Sequence, residues 1–127
     1  MKLLLDTHTI IWFINNNPRL RQDIREMLES DSNDVCVSVA SLWEISIKFR
    51  QGKLELDRSL AEIVRSLHDN GFWFLRVDLK HVFRLDTLER HHKDPFDRML
   101  IAQALAGNFA LVGCDDVFDL YGVRRMW

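Results

Sequence analysis

Short apolar runs alternate with helix-length amphipathic segments along the whole chain, and this alternation constrains the fold more than any other feature. "KLLLD" (2–6), "VCVSV" (35–39), "FWFLRV" (72–77) and "FALVG" (109–113) are apolar or β-branched nearly throughout. Such runs mark strands covered on both faces. Between them lie "THTIIWFI" (7–14), "RLRQDIREMLES" (19–30), "ASLWEISIKFRQGKL" (40–54), "SLAEIVRSLHDNG" (59–71) and "LKHVFRLDTLER" (79–90), followed by a helix opening at Pro95. Their apolar residues recur at helical spacing. "NNNP" (15–18), "DSND" (31–34), Gly52 and Asn70-Gly71 punctuate the pattern. "GVRRM" (122–126) supplies a last strand. The alternation predicts an α/β fold of three layers, α/β/α, around a central, mostly parallel sheet of about five strands. The 127 residues read as one domain, 1–127, long enough to bury a real core.

In parallel α/β sheets the functional crevice lies outside the carboxyl ends of the strands. Acids at those ends are therefore the first candidates. Asp6 ends the first strand, and Asp115 follows "FALVG". Glu44 lies early in the helix after "VCVSV". The fourth acid comes from "HHKDPFDRMLIAQALA" (91–106). There Asp94 reads as an N-cap, Pro95 as the first helical residue and Asp97 as N3. Asp97 precedes Leu100 and Ile101 by three and four residues, so it projects toward the stripe that must be buried, where an unpaired carboxylate is costly.

Each acid alone has a structural reading. Asp6 and Asp115 can cap the helices that follow, and Ser41 with Glu44 fits the S-x-x-E capping box. Four carboxylates converging on one sheet edge are harder to explain this way, because they repel unless a cation compensates them. Oxygen-only donors select a hard cation, Mg²⁺ or Mn²⁺. Such a site suits phosphodiester hydrolysis. Lys48, one turn beyond Glu44, and Arg98, beside Asp97, are candidate substrate contacts, and Arg50, Lys53 and Lys93 could meet a nucleic-acid backbone. Trp43 reads more readily as a core residue than as a platform for a base.

Composition removes other classes. The net charge of −2 carries no bulk nucleic-acid signal. Cys36 and Cys114 are too few for a disulfide framework and read as reduced thiols, which places the chain in the cytoplasm. No Cys or His pair has zinc-ligand spacing. "MKLLLDT" opens like a secretory leader, but Asp6 ends its apolar run. No apolar stretch is long enough to span a membrane.

"LLLDTHTIIWF", "SVASLWEISIKFRQGKL", "HHKDPFDRMLIAQALA" and "LVGCDDVFDLYGV" resemble, in order, the motif blocks of PIN-domain proteins, and most closely those of VapC-type toxins of bacterial toxin–antitoxin modules. The resemblance runs over nearly the whole chain. It implies a PIN fold and a metal-dependent endoribonuclease leaving 3′-hydroxyl and 5′-phosphate ends. By motif position it assigns Asp6, Glu44, Asp97 and Asp115 as catalytic, metal-holding acids, with Mg²⁺ as cofactor and Mn²⁺ as the alternative. Thr7 occupies the hydroxyl position that often follows the first aspartate, and it is a third candidate substrate contact beside Lys48 and Arg98. Many relatives carry Ser or Thr where this chain has Gly113, and Asp116 leaves the register of the fourth acid open. The resemblance also implies an RNA substrate, a homodimer and a cognate antitoxin that wraps the apolar first helices, where Trp12, Phe13 and Ile24 are either partner surface or core.

Two rivals belong to other classes. One is a non-catalytic PIN-like module that binds RNA or protein, which the four intact acids disfavour. The other is a phosphoacceptor domain, which needs a lysine after the last strand that is not evident here.

Overall fold

A computed structural model describes residues 1–127. The elements follow as β1 (Lys2–Leu5), α1 (Thr7–Ile14), α2 (Gln22–Glu29), β2 (Asp34–Ser38), α3 (Val39–Arg50), α4 (Leu60–Asp69), β3 (Trp73–Leu75), α5 (Leu79–Asp86), α6 (Pro95–Gly107), β4 (Ala110–Val112), a 3-10 helix (Asp116–Tyr121) and β5 (Arg125–Met126). The five strands form one sheet in the order β3-β2-β1-β4-β5, and every pair is parallel. The three-layer α/β expectation therefore holds.

The two faces of the sheet follow from the period of two along each strand. Leu3 and Leu5 of β1, Val35 and Val37 of β2, and Ala110 and Val112 of β4 pack with Ile10, Ile24, Ile45, Ile63 and Leu67 from α1 to α4. Leu4, Cys36 and Leu111 point the other way, against Leu100, Ile101 and Ala104 of α6 and Phe118. Full burial of one such side chain contributes about 1.5–3 kcal/mol, so both layers are firmly held. α5 packs on α6, and α3 touches both α1 and α6. It thereby bridges the two layers at the carboxyl edge of the sheet.

The chain runs outward from β1 to β2 and β3, then returns to β4 on the other side of β1. The connections leaving β1 and β4 thus diverge, the arrangement at which parallel α/β sheets place their functional crevice. Asp6 directly follows β1, and Asp115 lies just beyond β4.

Several elements are shorter than the sequence suggests. β3 spans three residues, not 72–77, because its partner β2 turns into α3 after Ser38 and leaves Arg76 and Val77 nothing to pair with. α5 stops at Asp86, not at residue 90, because Arg98 takes the Leu88 and Glu89 carbonyls and the Thr87 hydroxyl bonds back to Arg84 O. α3 ends at Arg50, with Gly52 beyond it at φ +72°, the left-handed conformation that closes a helix. The Ser41–Glu44 capping box does not form. Ser38 caps α3 by accepting the Ala40 N–H, and Ser41 is buried within the helix. The 3-10 helix is the one that the capping reading of Asp115 requires. No helix is long and apolar enough to cross a membrane.

Candidate functional site

Asp6 leaves β1 to cap α1. Its Oδ1 accepts the Thr9 N–H at 2.8 Å, while its own N–H still donates to Val112 O on β4. The carboxylate is only 3% exposed. Oδ2 faces Gly113, where an added Cβ would lie 2.5 Å away. The Ser or Thr that the resemblance leads one to expect here would thus collide with Asp6 as it stands, and the missing side chain is what lets the end of β4 run against this carboxylate. Burial raises the Asp6 carboxyl above its ordinary range, and the charge of Asp115 adds to the rise.

Glu44 sits in the second turn of α3 and is 3% exposed. Thr7 Oγ1 donates to its Oε1 at 2.5 Å, and Lys48 Nζ donates to its Oε2 at 2.5 Å. The first contact depends on α3 crossing the start of α1, whereas the second lies within α3, one turn apart. The Lys48 ammonium is held above its ordinary pKa, chiefly by this bond to Glu44, with Asp94 and Asp97 adding to the effect. Thr7, a candidate for substrate contact, spends its proton on Glu44 and orients it.

Asp94 and Asp97 divide the work at the start of α6. Asp94 Oδ1 accepts the Phe96 and Asp97 N–H groups at 2.9 and 3.0 Å and is a cap. The Asp97 side chain is released from capping and stands 3.4 Å from His92 Nε2. Burial first, and Asp94 second, push its carboxyl up to about 6, with Glu44 also raising it and His92 opposing. Asp115 caps the 3-10 helix through the Val117 N–H. Its charge bears on Asp6, whereas that of Asp116 bears on Arg125.

The four acids therefore share one edge but form two groups, Asp6 with Asp115 and Glu44 with Asp97, joined through Thr7. No three His, Cys, Asp or Glu side chains stand close enough to hold one metal ion together. In kind the donors fit an oxygen-preferring divalent cation. They are carboxylates only, two have pKa values raised by burial and mutual repulsion, and an ammonium already sits on Glu44 as a cation stand-in.

Other candidates change role. Arg98 is not free for a substrate, because its guanidinium reaches Leu88 O, Glu89 O and the Tyr121 hydroxyl. Arg90 and Lys93 line a cavity of about 390 Å³ beside it. Trp43 is not core. It is 63% exposed and edge-on to Phe96. Phe13 and Ile24 are core, whereas Trp12 is half-buried against Trp127. Sequence reasoning missed His92 and Tyr121, whose meeting across 29 residues leaves no local signal.

The family model described as the PIN domain matches residues 3–123. No curated protein matches the chain. Solved structures sharing the fold include VapBC2 from Rickettsia felis bound to a DNA fragment from their promoter, at 17% identity and TM-score 0.76, covering 99% of this chain and 98% of that one. DNA-bound VapBC from Salmonella typhimurium is 21% identical with TM-score 0.76, over 99% and 97% of the two chains. FitAcB from Neisseria gonorrhoeae is 16% identical with TM-score 0.66, over 98% and 96%.

Proposed function

The chain belongs to the PIN-domain family, and from that premise we propose that it is a metal-dependent endoribonuclease, a VapC-like toxin restrained by an antitoxin partner. The observation that carries the reading is the placement of Asp6 and Asp115 at the carboxyl ends of the adjacent strands β1 and β4, with Glu44 and Asp97 brought to the same edge by α3 and α6. Asp6, Glu44, Asp97 and Asp115 would hold Mg²⁺ or Mn²⁺. Bound there, the ion supplies charge neutralisation and Lewis acidity toward a phosphodiester.

The chain's own residues prepare that chemistry. The Thr9 N–H fixes Asp6, the Thr7 hydroxyl fixes Glu44, and Asp94 caps α6 so that Asp97 stays free. Lys48 is well placed to leave Glu44 for a substrate phosphate, since its stem is partly exposed. Arg90 and Lys93 offer backbone contacts along the outer end of α6. RNA is the proposed substrate. The free thiols of Cys36 and Cys114 fit a cytoplasmic protein. Leu79, Val82 and Phe83 on α5, together with Trp43, expose apolar surface suited to a homodimer. The antitoxin partner is proposed from the likeness to the VapBC and FitAcB structures.

A second reading, a PIN-like module that binds RNA or protein without cutting it, draws on one observation, the Lys48 ammonium already seated on Glu44. Incubating total RNA with the protein, with Mg²⁺ or with EDTA, separates the two. The nuclease reading expects new 5′-phosphate ends only with Mg²⁺ and none from Asp6→Asn. RNA retention without cleavage in Mg²⁺ and in Mn²⁺ would establish the binding module instead.

A further inference from the structure

Tyr121, the last residue of the 3-10 helix, places its hydroxyl where three segments meet. The backbone N–H groups of His91 and His92 each point to its oxygen at 3.1 Å, and Arg98 Nη1 lies 3.2 Å away. All three are donors without acceptor capacity and share the two lone pairs of the hydroxyl oxygen, so none of them can receive its proton. His92 Nδ1 stands 2.7 Å from that oxygen. A neutral imidazole that accepts at Nδ1 carries its proton on Nε2. His92 Nε2 in turn faces Asp97 Oδ2 at 3.4 Å.

We propose that His92, set in the Nε2–H tautomer by the Tyr121 hydroxyl, is a positioning residue that aims the Asp97 carboxylate into the acidic edge. The proposal rests on the reading of Asp97 as a metal-holding acid. Asp97 has no other side-chain donor, and α6 leaves its carboxylate free because Asp94 does the capping. Without His92 the carboxylate can rotate about its own side-chain bonds. The His92 and Asp97 side chains are 18% and 22% exposed, dry enough for the link to outweigh competition from water. Tyr121 also closes a loop of function. It ends the 3-10 helix that Asp115 begins, so one short helix carries an acid at its start and the anchor of another acid at its end. Arg98 holds the segment before α6 through two carbonyls, so the fold does not depend on the imidazole.

The first test is spectroscopic and needs no activity. Long-range ¹H–¹⁵N correlation of the metal-free protein, with the imidazole neutral, is expected to show His92 protonated on Nε2, and Tyr121→Phe is expected to mix the tautomers. An Nδ1–H tautomer in the parent, or a pattern unchanged by Tyr121→Phe, overturns the proposal. The second test is Mn²⁺ binding by calorimetry. Partners of metal-holding groups are typically worth about 10–100-fold in affinity, and His92→Ala is expected to lose that much with its melting temperature near that of the parent. His92→Gln, whose amide nitrogen falls near Nε2, is expected to recover most of it, and His92→Asn, whose amide falls near Nδ1, is not. Equal affinity in His92→Ala and the parent overturns the positioning role. A parent that binds no Mn²⁺ overturns the metal reading of Asp97 itself, while the tautomer pattern still reports whether Tyr121 governs His92.

Discussion

Lys48 Nζ lies 2.5 Å from Glu44 Oε2, one turn along α3, so the most buried glutamate of the acidic edge is held by an ammonium from its own helix. That ammonium and a metal ion would compete for the same oxygen. Lys48→Met leaves Glu44 with only the Thr7 hydroxyl. In EDTA the variant is expected to lose about 1–3 kcal/mol, less than the cost of breaking a fully buried pair because Lys48 is partly exposed. Added Mg²⁺ is expected to stabilise the variant more than the parent, since metal binds the folded state and no longer displaces a lysine. Thermal melts with and without Mg²⁺ check both effects, and a Mg²⁺ response smaller than that of the parent contradicts the competition.

Asp94 and Asp97 are expected to separate cleanly on substitution. Asp94→Asn keeps an oxygen for the Phe96 and Asp97 N–H groups, so helix capping and RNA cleavage stay within a few-fold of the parent. Asp97→Asn keeps the fold and lowers cleavage by orders of magnitude. Rates of RNA cleavage under matched Mg²⁺ decide the matter, and equal losses in the two variants would refute the division of labour.

Gly113→Ala would bring a Cβ to 2.5 Å from Asp6 Oδ2. Either the carboxylate turns away, losing the Thr9 N–H, or β4 shifts against β1. Overpacking of this kind costs about 1–3 kcal/mol. The expected result is a melting temperature lower by several degrees and cleavage at least tenfold slower. A variant that melts and cleaves like the parent would mean that Asp6 has room to move, and its fixed placement would lose its support.

The pH dependence of stability carries the mark of Asp97. Its carboxyl is raised from 3.8 to about 6, so the folded chain holds this proton more tightly than the unfolded one. The stabilising contribution is complete below pH 3.8 and is lost as pH rises to about 6. In EDTA the stability of the parent relative to Asp97→Asn is therefore expected to fall across that window and level off above it. Urea unfolding at stepped pH measures the difference. A parent that gains on the variant as pH rises would show that the link to His92 outweighs the burial of the carboxylate.

Much of the fold was legible because it depends on neighbours in the chain. The apolar runs around Leu4, Cys36 and Leu111, the caps at Asp6 and Asp94 and the closure of α3 near Gly52 each rest on a strand period, a helix period or a contact within three residues. Element ends were less legible, since they depend on partners elsewhere. β3 stops where β2 turns away, and α5 stops where Arg98 captures its next carbonyls.

The sequence by itself determined the α/β class, the acids at the strand ends and the cap at Asp94, because local periodicity and backbone geometry govern all three. Only the tertiary structure decided that Thr7 reaches Glu44, that Arg98 is a tie rather than a substrate contact, that Trp43 faces solvent, and that Tyr121 reaches back 29 residues to His92. Those contacts join segments far apart in the chain, and they exist because the parallel sheet closes on both layers and brings the carboxyl ends of β1 and β4, α3 and the start of α6 to one edge.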